Sequence, residues 1–291
     1  MHDVIIIGKG PAGISAALYT IRANLDTLVI GTATGSLMKA EKIENYYGLT
    51  QPVSGSELMK IGEQQVTRLG GTILQDEVMG IDFLGHFEVK TAQGSHQAKA
   101  VLIATGAPVV RVPVKGLQSF EGRGVSYCTT CDGFFHRGKP VGVIGYNDFG
   151  VHEAIELLAF TNQVTFFTNG KPLQLSEASK SGLSAFSLVE TPISELYGEE
   201  TLAGVRMADG SEVPLSGLFI AYGSASGATF ALQMGIAMEG LSIKVDGHMA
   251  TNIPGLFAAG DVTGGFKQVA VAVGQGALVG RHMIEFVRSG R

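Results

Sequence analysis

The sequence predicts an α/β fold, and three observations support it. An apolar strand at the start of the chain runs into a glycine-rich turn and then a helix, and the same pattern recurs from Val141. After this second unit the chain returns to a buried strand that ends in Gly260-Asp261. A chain of 291 residues can hold two ordinary domains. We therefore expect two nucleotide-binding domains of the three-layer ββα, Rossmann-like type, with residues 109–241 inserted into a discontinuous domain of residues 1–108 and 242–291.

The first element is an apolar strand that starts at Asp3 and runs into Gly8-x-Gly10-x-x-Gly13, with a helix from Ile14 to Asn24 behind it. Gly8 permits the tight turn, Gly10 lets the backbone approach a pyrophosphate, and Gly13 lets the helix pack on the strand. The helix N-terminus attracts the anion. A glycine-rich turn without a ligand is the alternative, but the flanking strand and helix favour a dinucleotide site.

The next strand, Thr27–Ile30, is followed by Gly31-Thr32-Ala33-Thr34 where the usual pattern has an acidic residue for the ribose. A hydroxyl of Thr32 or Thr34 is a neutral replacement. Four features complete the first domain: a helix over 55–69, a β-meander over about 73–90, a buried strand over 101–107, and an exit marked by Pro108 and Pro113.

The second glycine-rich turn departs from the pattern. Asn147 stands where the second glycine belongs, beside the bulky Tyr146, so a side chain obstructs the approach to a pyrophosphate. The strand that follows leads to Thr168-Asn169-Gly170-Lys171, where an NADP site would present arginines to the 2′-phosphate. This segment has none. The sequence predicts a nucleotide-binding fold that has lost its nucleotide.

The only two cysteines, Cys128 and Cys131, lie just inside the second unit. This spacing can close into a small reducible disulfide, and Asp132 beside it can supply or remove a proton. The alternatives are a structural disulfide or half of a zinc site. Structural zinc needs four ligands, and so short a loop stabilises little, so the pair favours two-electron redox chemistry.

The last section carries candidate contacts for a flavin. The Asp261 carboxylate can accept hydrogen bonds from a ribityl hydroxyl, although a helix N-cap is an alternative role. Lys267 and Gln268 lead into a helix that runs to Arg288, whose N-terminus can stabilise charge on a reduced ring. Taken alone, Lys267 and Gln268 are more typical of ordinary surface residues than of a flavin site.

Composition excludes some classes of binding partner. The net charge is −5, which argues against nucleic acid or an anionic membrane as the main partner. No apolar run approaches the length that spans a bilayer, and the first residues enter a strand pattern directly. Two cysteines in a reducing compartment are typical of a catalytic pair, so we expect a cytoplasmic location.

Together these motifs resemble the low-molecular-weight thioredoxin reductase family over essentially the whole chain. The motifs are Gly8-x-Gly10-x-x-Gly13, Ile43-Glu44-Asn45, Ala104-Thr105-Gly106-Ala107, Cys128-x-x-Cys131-Asp132-Gly133-Phe134-Phe135 and Pro254-Gly255-Leu256-Phe257-Ala258-Ala259-Gly260-Asp261. The resemblance implies a homodimer, one FAD per chain in the discontinuous domain, and a catalytic disulfide in the inserted one. The residues expected to bind FAD are Gly8, Gly10, Pro11, Ala12, Gly13, Thr32, Ser36, Leu37, Asn45, Val78, Thr105, Gly106, Ala107, Gly260, Asp261, Lys267, Gln268 and Val269.

The resemblance also implies a role for each residue of the disulfide motif. Cys131 would face the flavin, Cys128 would exchange with thioredoxin, and Asp132 would act as acid and base. Phe134 and Phe135 would help to dock the protein substrate. The predicted function is a flavin-dependent disulfide oxidoreductase that passes electrons from FAD to Cys128–Cys131 and on to thioredoxin.

The departures in the second unit are more similar to the pyridine-nucleotide-independent branch, especially the ferredoxin-dependent flavin thioredoxin reductases. We therefore expect ferredoxin or another low-potential protein as electron donor, with the NADPH site lost. Three alternatives remain open: a diflavin-linked disulfide oxidoreductase with a second FAD, an NADPH-dependent thioredoxin reductase, and a non-enzymatic flavin redox sensor. Candidate basic residues for docking an acidic donor are Lys39, Lys42, Arg111, Lys115 and Arg123.

Overall fold

The computed structural model describes residues 1–32, 35–107, 112–223 and 225–290. Its α-helices are α1 Pro11–Arg22, α2 Gly55–Arg68, α3 Thr129–Asp132, α4 Asp148–Leu157, α5 Glu177–Gly182, α6 Gly227–Met234 and α7 Val269–Ser289. Its strands are β1 His2–Ile7, β2 Thr27–Ile30, β3 Thr72–Leu74, β4 Val78–Phe83, β5 Phe87–Thr91, β6 Gly94–Ile103, β7 Val125–Ser126, β8 Val141–Ile144, β9 Val164–Phe167, β10 Ser187–Val189, β11 Ile193–Gly198, β12 Leu202–Met207, β13 Glu212–Pro214, β14 Gly217–Ile220, β15 Met238–Glu239, β16 Ser242–Ile243 and β17 Leu256–Ala258.

The chain divides into two compact units. Unit 1 comprises Met1–Pro108 and Ser226–Arg291, and unit 2 comprises Val109–Ala225. The first boundary coincides with the expected one. The second lies at 225/226 instead of 241/242, because α6 packs against β4 and β16 of unit 1 and buries Phe230 and Ala231. The apolar content of α6 did not reveal from sequence which of the two cores it joins.

Unit 1 is built on a mixed sheet in the order β3-β2-β1-β6-β5-β4, with β17 paired to the carboxyl half of β6. The pairs β3–β2, β2–β1, β1–β6 and β6–β17 are parallel, and β6–β5–β4 form an antiparallel meander. The apolar run of β1 is buried because this part of the sheet is covered on both faces. The meander that was expected over about 73–90 starts later than predicted, at β4. Strand β3 pairs in parallel with β2 and does not belong to the meander.

Helices α1 and α7 of unit 1 cross at close range. A Cβ placed on Gly276 would lie 2.3 Å from the carbonyl oxygen of Ala12, so only glycine fits there. Ser15 Oγ donates to the carbonyl of Val273 over 2.8 Å and fixes the crossing. This contact holds the N-terminal half of α7 against the first turns of α1.

Unit 2 contains a parallel sheet in the order β10-β9-β8-β14-β7 and a smaller antiparallel sheet of β11, β12 and β13. Fully buried Phe166, Phe167 and Phe219 lie on its strands. The predicted α/β class with parallel-sheet, Rossmann-like domains is confirmed. Among the described helices, none combines the length and apolar character needed to cross a bilayer.

Candidate active site

Cys128 and Cys131 form a disulfide in unit 2, with their Cα atoms 5.3 Å apart. Cys128 is the N-cap residue of α3, and its Sγ accepts a hydrogen bond from the Cys131 N–H over 3.2 Å. Cys128 is only 3% exposed, whereas Cys131 is exposed. The expected exchange of Cys128 with thioredoxin therefore requires its sulfur to become accessible.

Ser126 connects Asp132 to the disulfide. Its hydroxyl donates to Asp132 Oδ2 over 2.6 Å and accepts from the N–H of Cys128 over 3.1 Å. The Asp132 N–H also donates to the carbonyl of Cys128 over 3.2 Å. The half-buried Asp132 carboxylate is thus held beside the cysteine pair, where an acid or base for thiol exchange belongs. Sequence reasoning missed Ser126, because a serine two residues before a cysteine carries no distinctive signal.

Thr129 and Glu153 form a second contact behind the disulfide that sequence reasoning also missed. Thr129 Oγ1 donates to the Glu153 carboxylate. Glu153 lies on α4 and is 4% exposed. This burial raises its pKa above the ordinary range of a glutamate, while hydrogen bonding to Thr129 acts against the rise. The sequence did carry one signal for this contact: Glu153 is an acidic residue on the otherwise apolar face of a predicted helix.

Two aromatic side chains next to the disulfide are exposed to solvent. Phe134 and Phe135 are 60% and 68% exposed, and their rings meet edge to face at 6.1 Å. The Arg137 guanidinium lies over the Phe134 ring at 5.2 Å. This apolar surface with a basic margin has the composition expected of a protein-docking site. Its use by a thioredoxin stays a prediction.

In unit 1, the glycines of the first turn have the geometry of a pyrophosphate cradle. A Cβ on Gly8 would lie 2.2 Å from the carbonyl oxygen of Ala104, and one on Gly13 would lie 1.9 Å from the oxygen of Gly8. Both positions exclude a side chain. At Gly10 the same Cβ would meet no protein atom within 4 Å, so the space in front of it is open. No side chain caps α1, which starts with Pro11, and its N-terminal N–H groups remain available to an anion.

The parallel strands bring several other predicted residues to the same edge of the sheet. Ile7 is in register with Ile30 and Ile103, and Ile103 with Ala258, so these strands end together. The predicted residues that follow these ends are Thr32, half-buried, Thr105, Gly106 and Ala107 after β6, and Gly260 and Asp261 after β17. Thr34, the second candidate for the ribose contact, lies outside the described residues.

Thr105 shows that this edge suits a polar ligand. Its hydroxyl oxygen is buried and has no hydrogen-bond partner among the described residues. Gly106, next to it, has φ of +82° and open space at its Cβ position. A buried hydroxyl without a partner costs free energy that a ligand hydrogen bond would recover. An FAD therefore fits the residues present, with its pyrophosphate at Gly10 and α1.

Asn45 and Gln268, predicted to contact the flavin, are joined directly. Asn45 Nδ2 donates to Gln268 Oε1 over 2.9 Å. Gln268 is the N-cap residue of α7, whose first residue is Val269, and Lys267 before it is exposed. Asp261 is the first residue of a short 3₁₀ turn, Asp261–Thr263, whose N-cap residue is Gly260 and which no side chain caps. The alternative role of Asp261 as an N-cap is therefore wrong.

The remaining predicted FAD residues lie in other parts of unit 1. Ala12 is buried in α1, and a Cβ on Gly260 would approach its side chain to 3.0 Å. Ser36 and Leu37 lie in the 3₁₀ turn Ser36–Lys39, exposed and half-buried respectively. Val78 is buried at the start of β4. Contacts of Ser36, Leu37 and Val78 with a flavin remain predictions.

The second glycine-rich turn, in unit 2, is closed by its own residues. Asn147 caps α4: its Oδ1 accepts from the Gly150 N–H over 3.3 Å, and its Nδ2 donates to the carbonyl of Gly223 over 3.1 Å. The Gln174 N–H donates to the carbonyl of Tyr146 over 2.7 Å, which brings the chain after β9 across the turn. The Asn147 side chain is therefore hydrogen-bonded within this turn, at the start of α4.

Asp148 places a negative charge at this turn, where it would repel a phosphate. It is the first residue of α4, and its carboxylate accepts from the Ser176 N–H over 2.8 Å. Asn169, where an arginine was sought, has φ of +52° and accepts from the Ile193 N–H over 2.7 Å, so it has a structural role. Thr168 is fully buried.

The basic residues proposed for donor docking differ in availability. Lys42 pairs with Glu44 at 3.0 Å, and Lys115 pairs with Glu195 at 3.0 Å. Both ammonium charges are therefore neutralised by ion pairs within the chain. Lys39 is exposed at the end of its turn. The Arg123 guanidinium donates to the backbone carbonyl of Ser119. Because a carbonyl carries no net charge, this contact does not neutralise the guanidinium. Arg111 lies outside the described residues. In the described part of the chain, no group of three or more His, Cys, Asp or Glu side chains is arranged to hold a metal ion.

Comparisons with known proteins identify the family of this chain. Residues 2–276 match the model of the pyridine nucleotide-disulphide oxidoreductase family. A thioredoxin reductase of Streptomyces coelicolor is 36% identical over 95% of this chain and 91% of its own. The structure superposes on the atypical thioredoxin reductase TRi of Desulfovibrio vulgaris Hildenborough with a TM-score of 0.96 at 40% identity, covering 99% of each chain. It also superposes on a ferredoxin-flavin thioredoxin reductase of Clostridium acetobutylicum with a TM-score of 0.76 at 29% identity, covering 99% and 98%. The chain therefore belongs to the pyridine nucleotide-disulphide oxidoreductases and, among them, to the thioredoxin reductase family of flavin-dependent disulfide oxidoreductases.

Proposed function

We propose that the protein is an FAD-dependent reductase of thioredoxin whose electrons come from ferredoxin or another low-potential protein and not from NADPH. Asn147 carries the donor part of this proposal. Its side chain occupies the position where a pyrophosphate would approach, and both of its polar atoms are engaged, by Gly150 and Gly223. The carboxylate of Asp148 adds a repulsive charge at the same helix start.

Each residue of the disulfide motif that is named here has its own part in this function. Cys128 and Cys131 carry an electron pair as dithiol and disulfide, and Asp132 moves the proton that thiol exchange requires. Phe134 and Phe135 offer the exposed surface for the protein substrate. When bound in unit 1, FAD supplies the conversion between one-electron and two-electron transfer that a ferredoxin donor needs.

An NADPH-dependent thioredoxin reductase is the second candidate. It is favoured by the 36% identity with the Streptomyces coelicolor thioredoxin reductase and by the tight turn at Gly145, where a Cβ would meet the Cα of Gly150 at 2.8 Å. That turn is needed by the fold whether or not a nucleotide binds. It therefore supports the candidate less than Asn147 argues against it.

Anaerobic stopped-flow measurement of flavin bleaching separates the two candidates. We expect reduced ferredoxin to bleach the flavin within seconds, and NADPH and NADH to leave it oxidised over the same time. Rapid bleaching by NADPH would refute the proposed donor. Cys128→Ser and Cys131→Ser, each predicted to bleach normally but to reduce no thioredoxin, are the controls for the disulfide step. Turnover of one thioredoxin per site, without continued turnover, would instead indicate a redox sensor.

The proposal includes three further points that rest on the family and on composition. Membership of the thioredoxin reductase family supports a homodimer. Two cysteines at catalytic spacing support a cytoplasmic location. One FAD per chain is expected in unit 1, and the closed turn of unit 2 argues against a second cofactor bound at that helix.

A further inference from the structure

Glu153 is a buried carboxyl group that the proposed relay does not use. It lies on α4 where this helix packs against α3, and only 4% of it is exposed. Burying an ionised carboxylate is costly unless hydrogen bonds compensate for the lost water. Here the compensating hydrogen bond comes from the Thr129 hydroxyl.

Thr129 places that carboxylate directly behind the reactive sulfur. It is the first residue of α3, follows Cys128 in the chain, and is 1% exposed. The Cys131 N–H donates to Cys128 Sγ, whereas the Thr129 hydroxyl donates to Glu153. The residue that follows Cys128 is thus tied to a carboxylate, while the Cys131 N–H is available to a thiolate.

We propose that Glu153 is a positioning residue that sets the disulfide–dithiol equilibrium of Cys128–Cys131, by anchoring Thr129 and, when ionised, by placing a negative charge next to the disulfide segment. Reduction adds two electrons to the disulfide, and two protons from solvent complete the two thiols. When one sulfur stays a thiolate, its charge and that of Glu153 repel each other in a poorly solvated region. Glu153 therefore favours the disulfide. This inference rests on the disulfide relay of the proposed function but not on its electron donor.

Other titratable groups lie on α4 and on the elements packed against it. On α4 itself are Asp148, His152 and Glu156. Asp148 accepts from the Ser176 N–H, and Glu156 adds a weaker repulsion to Glu153. From α3, the Asp132 carboxylate is held by Ser126, and from α5, Glu177 pairs with Lys180. Strands β8 and β9, which also pack against α4, carry no charged residue. Glu153 is thus the carboxylate bonded most directly to the disulfide segment.

The test equilibrates the holoenzyme with mixtures of reduced and oxidised dithiothreitol at pH 6.5 and pH 8.5, then quenches, alkylates and counts thiols by mass. We expect Glu153→Gln to shift the equilibrium about tenfold toward the dithiol at pH 8.5, or about 30 mV for two electrons. At pH 6.5 the shift should be smaller, because fewer thiolates are present. Glu156→Gln, one turn further along α4, is the matched control and should stay within about twofold of the parent.

A purely structural role for Glu153 would change the free energy of unfolding but leave the equilibrium constant the same at both pH values, which would overturn the inference. If Glu153→Gln fails to fold, Thr129→Val decides: it removes one donor to the carboxylate and should give a shift in the same direction of about threefold. A wild-type cysteine pair that never equilibrates with dithiothreitol would refute the relay itself. An equilibrating pair that is indifferent to both variants would refute only the role of Glu153.

Discussion

Asn45 and Gln268 are hydrogen-bonded to each other over 2.9 Å, although 223 positions separate them in the sequence. The bond joins the loop after Ile43 to the start of α7. It links the first and last segments of unit 1. The bond therefore adds to the packing of α1 against α7 in fixing the position of Asn45 relative to the start of α7.

We expect Gln268→Ala to weaken FAD binding about fivefold, because one hydrogen bond of this kind contributes about 1 kcal/mol. Titration of the deflavinated protein with FAD, followed by flavin fluorescence, gives the Kd. Gln64→Ala, at an exposed position of α2, is the control for loss of a glutamine elsewhere in unit 1. Equal affinity in all three proteins would show that Gln268 takes no part in the flavin site.

Gly10→Ala should impair FAD binding, whereas Gly13→Ala should lower the stability of the fold. At Gly10 an added methyl meets no protein atom within 4 Å, so the fold should be retained while the methyl obstructs the pyrophosphate. At Gly13 the methyl would lie 1.9 Å from the oxygen of Gly8, and overpacking should lower the free energy of unfolding by about 1–3 kcal/mol. Urea unfolding of the deflavinated proteins measures the second effect, and FAD titration the first. Unimpaired FAD binding by Gly10→Ala would contradict the cradle.

The first turn and the disulfide motif could be predicted from sequence because each depends on neighbouring residues. Gly8, Gly10 and Gly13 act through local sterics, and Cys128 and Cys131 through their spacing. Glu153 could not be assigned a partner, because its contact with Thr129 depends on how α4 packs against α3. Likewise, α6 joins unit 1 through tertiary packing that its own apolar pattern does not encode.

Asp132→Asn should slow thioredoxin reduction by about two to four orders of magnitude, because the amide cannot move the proton but still accepts from Ser126. Steady-state turnover with a chemically reduced donor gives the rate. Asp209→Asn, in the turn between β12 and β13, is the control and should leave the rate unchanged. An undiminished rate in Asp132→Asn would leave Asp132 with a structural role only.

Asp3 should contribute stability that depends on pH. The Lys99 ammonium, bound at 2.7 Å, lowers the Asp3 pKa below its usual value, and the Asp26 N–H assists. A depressed folded-state pKa means that the stabilisation is fully present above the unfolded value of about 3.9 and is lost as the pH falls through the folded pKa. Asp3→Asn should therefore cost about 1 kcal/mol at pH 7 and progressively less below about pH 4. Urea unfolding across this range tests it, and a penalty independent of pH would contradict the assignment.

Electron transfer from an acidic ferredoxin should slow as the ionic strength rises, because the whole chain carries a charge of −5 and attraction must come from a local basic surface. Lys42 and Lys115 are neutralised by Glu44 and Glu195, which leaves Lys39 as the lysine to test. We expect Lys39→Ala to lower the bimolecular rate of flavin bleaching several-fold at low salt. The difference should fade as added salt brings the Debye length below about 10 Å.

Lys180→Ala, which removes a lysine already paired with Glu177, is the matched control. A rate that is indifferent to salt in all three proteins would refute steering but would leave ferredoxin as the donor, because steering changes only the rate of encounter and not which donor can reduce the flavin.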